Sequence, residues 1–295
     1  MKILLLGVFT HGSTDVWKAT ALRRAGHRVF PFPYRERDWR ELFPLGEAWD
    51  MVIVSKGVPL PPEAFVRLTE ISKARLLWWP DPWEQWNEAL TCAIRPVREA
   101  WGLAATSRVV LSRIRDAIGS GLACKRILEG ADCEGPMPGL WTGRLEPALL
   151  HFGHLSERRK EVIARLTAAG APVHHLDKPT FGAELQREVL RHAAVLGINS
   201  SPDLYSNRVQ TVLAMGGVMV QEDAPDLVAD LSGHSGLTWF VANDDPTLIS
   251  MAKAAVENRN VRSAPVVIDA YHRAHSWDRW AERVIEFACP AEVRT

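Results

Sequence analysis

The stretch LYSNRVQTVLAMGGVMVQ, residues 204–221, combines a helix start, a charged residue and a following strand. Ser206 is a good N-cap, because its hydroxyl can accept a hydrogen bond from a free backbone N–H group at a helix start. Apolar residues then recur at helical spacing, and Gly216 and Gly217 predict the helix end before an apolar strand at 218–220. Arg208 therefore lies in the first turn of the predicted helix.

Arg208 makes this helix start a candidate anion site. A guanidinium carries a fixed charge and planar donors, and the free N–H groups and dipole of a helix start favour an anion, a diphosphate above all. An ordinary capped helix with a solvated arginine fits the same spacing. The residues of this stretch alone leave both interpretations open.

The composition describes an ordinary globular protein. With 295 residues, 47% of them apolar and 24% charged, the chain suits two domains with real cores. A net charge of zero argues against a protein that mainly binds nucleic acid, although the first half of the chain is mildly basic and the second half mildly acidic. We find no signal peptide or membrane span and no Cys-x-x-Cys pair. We therefore expect a cytoplasmic protein with reduced thiols and no membrane partner.

Short apolar runs alternate with helical segments along the chain, which predicts α/β domains with parallel sheets. The opening KILLLG at 2–7 and the later ALLHFG at 148–153 each begin a strand–loop–helix–strand unit. Two coincidental units of this common type are the alternative. We predict two Rossmann-like, doubly wound parallel-sheet domains facing a cleft, at residues 1–140 and 141–295. The boundary lies in the segment 130–143, which is rich in Gly and Pro.

Two polar pairs invite a metal interpretation that we do not favour. Asp244 and Asp245 stand before a proline and a helical segment, which is more typical of an N-terminal capping turn. His272 and His275 have an i, i+3 spacing but no third ligand nearby in the sequence. The sequence therefore predicts no metal site.

The sequence resembles the glycosyltransferases of the two-domain GT-B type and, more narrowly, their CgeB-like spore-maturation and phage relatives. The resemblance implies a nucleotide-sugar donor held by the second domain and a hydroxyl acceptor on the first. It further implies no separate cofactor and a C-terminal helix that packs back towards the first domain. The motifs that carry it lie in colinear order over most of the chain: VIVSKGVPLPPE, LLWWPDP, FGHLSERRKEVIARLTAAG, LYSNRVQTVLAMGGVMVQ, DDPTLISMAKAAVENRNVR and AYHRAHSWDRWAERVIEF.

Carried over by position, the resemblance implies that Arg208 and the backbone beside it hold the donor diphosphate. One departure stands out. Relatives usually carry a Glu three residues after this Arg, where it bonds the nucleotide ribose, whereas this chain has Thr211, which bonds more weakly and without charge. The complete implied donor set is Gly12, Ser13, Gly153, His154, Ser156, Tyr205, Ser206, Asn207, Arg208 and Thr211.

The catalytic base is inferred from residues near predicted strand ends. An inverting transferase needs a carboxylate or a histidine at the acceptor hydroxyl, while a retaining one can work without it. Asp81, between two prolines after a predicted strand, is the first candidate, and His11 and Asp15 are the second; a turn-forming role for Asp81 is the alternative. The nearby tryptophans form either a stacking platform or a buried structural cluster: Trp78, Trp79, Trp83 and Trp86.

Three function classes follow. The leading one is a glycosyltransferase, with a small molecule, a protein or glycan, or a hydroxymethylated base in phage DNA as the acceptor. The second is a nucleotide-sugar epimerase or hydrolase on the same fold. The third, favoured by the departure at Thr211, is a binding protein that kept the fold without the chemistry.

Overall fold

The structure is a computed structural model that describes residues 1–43, 47–58, 60–135 and 145–289. The chain divides into two compact units: unit 1 contains Met1–Glu129 and Trp277–Thr295, and unit 2 contains Gly130–Ser276. The predicted boundary at residue 140 lies outside the described residues. The units differ from the predicted ranges at the chain's end, since the last helix belongs to unit 1 and not to the second domain.

Unit 1 is built on a parallel sheet, which in the described part of the unit has six strands in the order β2-β1-β3-β4-β5-β6. Edge strand β6 was not predicted, because its polar sequence ACKR lacks an apolar run. The strands are β1 (Lys2–Leu6), β2 (Arg28–Phe32), β3 (Trp49–Ser55), β4 (Ser72–Trp79), β5 (Gly102–Ala105) and β6 (Ala123–Arg126). The helices of this unit are α1 (Thr14–Arg24), α2 (Pro62–Glu70), α3 (Glu88–Ile94), α4 (Arg108–Ile118) and α11 (Trp277–Ala288).

The central strands of unit 1 are buried on both faces. Successive side chains of a strand point to opposite faces, so β4 places Trp79 in one core and Trp78 in the other. A strand covered on both sides reads as a continuous apolar run, which is why β1 and β3 were recognisable in the sequence. Helix α11 covers the Trp78 face with Trp277 and Trp280, as predicted for the C-terminal helix.

A fully buried lysine links the elements on that face. The Lys18 ammonium lies 2.8 Å from the Asp15 carboxylate and 3.1 Å from the Ser55 hydroxyl. Burial alone would raise the pKa of Asp15, but the Lys18 charge and hydrogen bonds from Lys18 and the Val8 N–H lower it below its ordinary value. Three indole rings complete the surroundings at 5.5–5.9 Å: Trp78, Trp277 and Trp280.

Unit 2 contains a second parallel sheet, with five strands in its described part in the order β11-β10-β9-β7-β8. The strands are β7 (Glu146–His151), β8 (Val173–His175), β9 (His192–Gly197), β10 (Met219–Glu222) and β11 (Trp239–Ala242). The helices are α5 (Glu157–Ala168), α6 (Gly182–Arg191), α7 (Arg208–Ala214), α8 (Leu227–Leu231), α9 (Asp245–Glu257) and α10 (Pro265–Ala274). Both faces of this sheet are also covered by apolar cores.

Two further expectations concern the cysteines and the membrane. Cys92, Cys124, Cys133 and Cys289 are all free thiols, as predicted. No helix in the described ranges has both the length and the apolar character that crossing a membrane requires.

The buried ion pair yields a stability prediction. Lys18→Met leaves the Asp15 carboxylate buried without its counter-charge, and breaking such a pair costs about 3–5 kcal/mol. We expect a lower urea midpoint, measured by tryptophan fluorescence, since most tryptophans lie in unit 1.

The matched control is Arg67→Met, which breaks the exposed pair between Arg67 and Glu70. That change should cost less than about 1 kcal/mol. Equal midpoints for the two variants would show that the buried pair does not stabilise unit 1.

Candidate functional site

The strand order of unit 2 creates a crevice at the carboxyl edge of its sheet. From β7 the chain goes first to β8 on one side and later to β9 on the other. The connections that leave β7 and β9 therefore run apart, and ligands of doubly wound sheets bind at such a switch point. The loop after β7 contains Phe152 and Gly153, and the segment after β9 leads to α7.

Arg208, the first residue of α7, lies against the loop after β7. Its guanidinium is 4.9 Å from the centre of the Phe152 ring. A Cβ atom at Gly153 would stand 2.7 Å from Arg208 Nη2, and Gly153 has a φ of +90°. Only glycine meets both requirements without strain. The structure thus brings together Gly153 and Arg208, two residues of the predicted donor site that are 55 positions apart.

The Arg208 charge has no anionic partner among the described residues of unit 2. Its side chain is half-buried and makes no hydrogen bond or ion pair with any residue that the structure describes. Burial, followed by the nearby Arg159 charge, lowers the pKa of Arg208 to about 10, so the guanidinium stays protonated at neutral pH. A desolvated charge without a partner is costly, and a bound anion would offset that cost.

A second arginine, not singled out by the sequence, fixes the two sides of the crevice. Arg159 in α5 is buried and donates to the His154 carbonyl oxygen at 2.7 Å. It also donates to the Ile198 carbonyl oxygen just after β9, at 3.2 and 2.9 Å. Because each of its three guanidinium nitrogens donates to a backbone carbonyl, Arg159 holds the loops on the two sides of the crevice in place.

The floor of the crevice is a buried histidine in its neutral form. His151 ends β7, and its Nδ1 lies 2.9 Å from Nδ1 of His175. Burial, followed by the charges of Arg208, His175 and Arg159, lowers the pKa of His151 to about 3. At neutral pH His151 therefore adds no charge beside Arg208.

The start of α7 differs from the prediction. The N-cap position is Asn207 rather than Ser206, and the backbone of Asn207 is already in the right-handed helical region. The Asn207 amide donates to the Asp132 carboxylate at 2.8 Å. Neither the Ser206 hydroxyl nor the Asn207 amide caps the helix. Since α7 has only seven residues, an anion bound at this place would depend on the Arg208 charge more than on a helix dipole.

Two hydroxyls of the predicted donor set are engaged inside unit 2. Tyr205 is buried, and its hydroxyl donates to the Asp230 carboxylate at 2.5 Å. Thr211 is also buried, and its hydroxyl accepts a hydrogen bond from the Asp132 N–H at 2.9 Å. In the structure, these two hydroxyls bind neighbouring segments of unit 2.

The remaining donor-loop residues of unit 2 lie close to this crevice. His154 is exposed, and its carbonyl oxygen is the one that Arg159 binds. Ser156 is the N-cap of α5, with its hydroxyl accepting from the Arg159 N–H at 3.4 Å. Ser156 thus shapes the loop and has part of its hydrogen-bonding capacity already in use.

In unit 1, the first catalytic candidate is paired with a lysine. Asp81 follows β4 and Lys56 follows the neighbouring strand β3, and their charged groups are 2.6 Å apart. Both side chains remain partly exposed. Lys56 has a φ of +69°, the only positive φ of a non-glycine residue in the described ranges. Such strained residues concentrate at functional sites.

The loop after β1 separates the two other catalytic candidates. His11 is exposed, next to Gly12 with its φ of +78°. Ser13 donates from its hydroxyl to the Val8 carbonyl oxygen. Asp15 is buried and bound to Lys18 and to the Val8 N–H, so it holds the fold and is not available as a base.

The tryptophan cluster is structural. Trp78 and Trp79 are fully buried on opposite faces of the sheet, so they cannot form one platform. Trp79 packs edge-to-face on Trp86 at 4.8 Å, and Trp83 is half-buried against the same core.

A pocket of about 310 Å³ lies at the carboxyl ends of β9, β10 and β11. Its charged groups are largely paired: Arg158 binds Glu222 through both guanidinium nitrogens. Asp244 caps α9 by accepting from the Thr247 N–H at 2.7 Å, as the capping interpretation predicts, and Asp245 pairs with Arg165 at 2.8 Å. His272 and His275 bind other partners, the Cys133 carbonyl and His234.

Comparison with known proteins gives structural matches only. No family model matches the chain, and no curated protein matches it. The crystal structure of Anabaena HepE with UDP and glucose is similar over 97% of this chain and 98% of that chain, with a TM-score of 0.67 and 13% identity. Both proteins place their strands and helices alike. The protein has a GT-B fold.

Two other GT-B neighbours act on different molecules. WaaG, a glycosyltransferase involved in lipopolysaccharide biosynthesis, matches with a TM-score of 0.64 and 8% identity over 96% of this chain and 98% of its own. The DNA-modifying enzyme β-glucosyltransferase matches with a TM-score of 0.56 and 10% identity over 97% and 99%. The GT-B fold is shared, and these identities carry no activity across.

A pair of glycines tests the contact between Gly153 and Arg208. Gly153→Ala and Gly170→Ala both force alanine into a φ near +90°, which costs more than about 1 kcal/mol. Only at Gly153 would the new methyl group also meet Arg208, since nothing lies within 4 Å at Gly170. We expect a lower melting temperature for Gly153→Ala than for Gly170→Ala. Equal losses would mean that Arg208 does not pack on Gly153.

The pKa of His151 predicts a pH dependence. Its folded-state pKa of about 3 is below the ordinary value of 6.5, so between these values the unfolded chain binds a proton that the folded chain does not. Stability is complete above pH 6.5 and falls with decreasing pH, by up to about 1.4 kcal/mol per pH unit. Urea midpoints at a series of pH values should show a smaller slope for His151→Gln. The exposed His154→Gln is the control, and an unchanged slope in His151→Gln would contradict the assignment.

Proposed function

We propose that the protein is a glycosyltransferase that moves a sugar from a nucleoside-diphosphate donor to a hydroxyl acceptor. The observation that supports this most directly is Arg208, a half-buried cation at the switch point with no acidic partner among the described residues of its unit. A diphosphate would supply the negative charge that Arg208 does not find among the described residues of its unit. Arg208 contacts a glycine loop, which lets the ligand approach the backbone.

The chemistry of sugar transfer would explain why a cation is needed at the position of Arg208. In the transfer, the bond between the sugar anomeric carbon and the donor phosphate oxygen breaks, and the acceptor oxygen forms a new bond to that carbon. Negative charge accumulates on the departing diphosphate. Arg208, held by Phe152 and Gly153, would stabilise this charge without reorganising during the reaction. The proposal assigns this neutralisation to the guanidinium rather than to a metal ion.

The proton of the acceptor hydroxyl needs a destination, and we propose Asp81. Its partly exposed carboxylate follows β4 and lies 2.6 Å from the Lys56 ammonium, and a carboxylate is a side chain that can accept a proton as a general base. His11, exposed in the loop after β1, is the second candidate. Gly12 and Ser13 would contribute backbone and hydroxyl groups from the same loop, as the resemblance implies.

UDP-glucose is the donor to test first. HepE and the DNA-modifying β-glucosyltransferase, both GT-B neighbours, were crystallised with UDP or with UDP-glucose. The β-glucosyltransferase modifies DNA, whereas two other neighbours are involved in avilamycin and in lipopolysaccharide biosynthesis. We therefore propose to test a hydroxymethylated base in DNA as one acceptor, together with glycans and small hydroxylated molecules.

The binding half of the proposal is tested with Arg208→Ala. UDP should raise the melting temperature of the native protein, because a ligand that binds only the folded state stabilises it. Removing this half-buried cation should cost about 2 kcal/mol of binding free energy or more, at least about thirtyfold in Kd. The control is Arg165→Ala, an exposed arginine of the same unit. If neither UDP nor any other nucleoside diphosphate raises the melting temperature of the wild type, the result favours a non-catalytic protein.

The catalytic half is tested separately with Asp81→Asn. This variant should keep the UDP shift and lose most transfer, measured by mass spectrometry on duplex DNA with and without hydroxymethylated bases and on a glycan panel. Transfer at the wild-type rate would remove Asp81 from the proposal. Rapid donor turnover without any acceptor would instead support the epimerase or hydrolase.

A further inference from the structure

Three ligand-type side chains meet in unit 2, away from Arg208. His174 lies in edge strand β8, Glu188 in the last turn of α6, and His192 at the start of β9. One nitrogen from each imidazole and one carboxylate oxygen all lie within 4.8 Å of one another. It is the only such group of three in the part of the chain that the structure describes.

The hydrogen bonds of His192 decide which of its nitrogens can bind a metal. Nδ1 lies 2.7 Å from the Glu188 carbonyl oxygen. A carbonyl oxygen only accepts, so Nδ1 carries the proton and Nε2 carries the lone pair. This is the arrangement that fixes the tautomer of metal-binding histidines. His192 is itself buried, so its ring is held in place.

The His192 lone pair is directed to the second histidine. Nε2 of His192 and Nδ1 of His174 are 3.0 Å apart. Two nitrogens bound to one zinc ion at about 2.0–2.1 Å in a tetrahedral site are separated by roughly 3.3 Å. The two rings therefore need only a small displacement to admit an ion between them.

The carboxylate supplies an unused oxygen. Oε2 of Glu188 is buried and has no hydrogen-bond partner, and it lies 3.8 Å from the His192 ring nitrogen Nδ1. The other oxygen lies 3.5 Å from Arg191. A buried carboxylate oxygen without a partner is unfavourable unless a cation or donor completes it.

We infer that His174, Glu188 and His192 form a binding site for a transition-metal ion of the zinc class. Two imidazoles and one carboxylate are ligands that zinc accepts, and a fourth position would be filled by water next to the exposed His174. The bound ion would join β8, α6 and β9. The site does not depend on the proposed glycosyl transfer.

Two other histidine pairs of unit 2 provide an internal comparison. His151 and His175, like His234 and His275, have ring nitrogens 2.9 Å apart. Neither pair belongs to a described group with a third metal ligand. Contact between two imidazoles alone therefore does not distinguish the proposed site; the carboxylate does.

The inference is tested by titrating the full chain, freed of metal with a chelator, with ZnCl₂ in a calorimeter. The wild type should bind one ion and its melting temperature should rise with zinc concentration. His174→Ala removes an exposed ligand and Glu188→Gln a charged one. Each should weaken zinc binding by at least about tenfold, since even outer-sphere changes cost that much. Cobalt(II) added instead should give the visible absorption of a tetrahedral site in the wild type but not in His174→Ala or Glu188→Gln.

The matched control is His234→Ala, which removes one ring from a histidine pair without a carboxylate. It should bind zinc like the wild type. Circular dichroism of the metal-free variants verifies that each is folded. The inference is overturned if the wild type binds no zinc, or if His174→Ala and Glu188→Gln bind it as tightly as the wild type.

Discussion

A charge removed from water must find a counter-charge, and Lys18 finds one in Asp15. The pair lies where β1 ends, α1 begins and β3 supplies the Ser55 hydroxyl, so satisfying it fixes the relative positions of these elements. Two of the indoles around the ammonium, Trp277 and Trp280, come from α11, the last helix of the chain and part of unit 1. The surroundings of this buried cation thus include the last helix as well as α1 and β3.

Arg208 is the opposite case, a half-buried cation whose counter-charge is missing within the described residues. Its neighbour Arg159 is satisfied by carbonyl oxygens, and His151 beneath it is neutral at pH 7. The positive charge at this crevice that lacks a described counter-charge is therefore that of Arg208. A stable protein can keep such a charge when a ligand completes it, and this contrast with Lys18 is the physical basis of the proposed donor site.

Much of the fold could be predicted because parallel strands buried on both faces leave apolar runs in the sequence. Strand β6 could not, since an edge strand made of ACKR is held by pairing with β5 and not by its own apolar character. Of the residues that the sequence singled out, Gly153 and Arg208 lie together in the structure, whereas Thr211 binds the Asp132 N–H through a contact between residues 79 positions apart. No local pattern reveals such a partner.

By itself the sequence determined the α/β class, the two strand–loop–helix–strand openings and the position of Arg208 at a helix start. These follow from periodicity and turn residues, which act over a few positions. Only the tertiary structure decided which polar groups are free. In the structure Asp15 and Tyr205 are bonded inside their units, and His174 lies beside His192. Arg208 has no partner among the residues that the structure describes. Burial and pairing are properties of the assembled units, so residue type and spacing do not fix them.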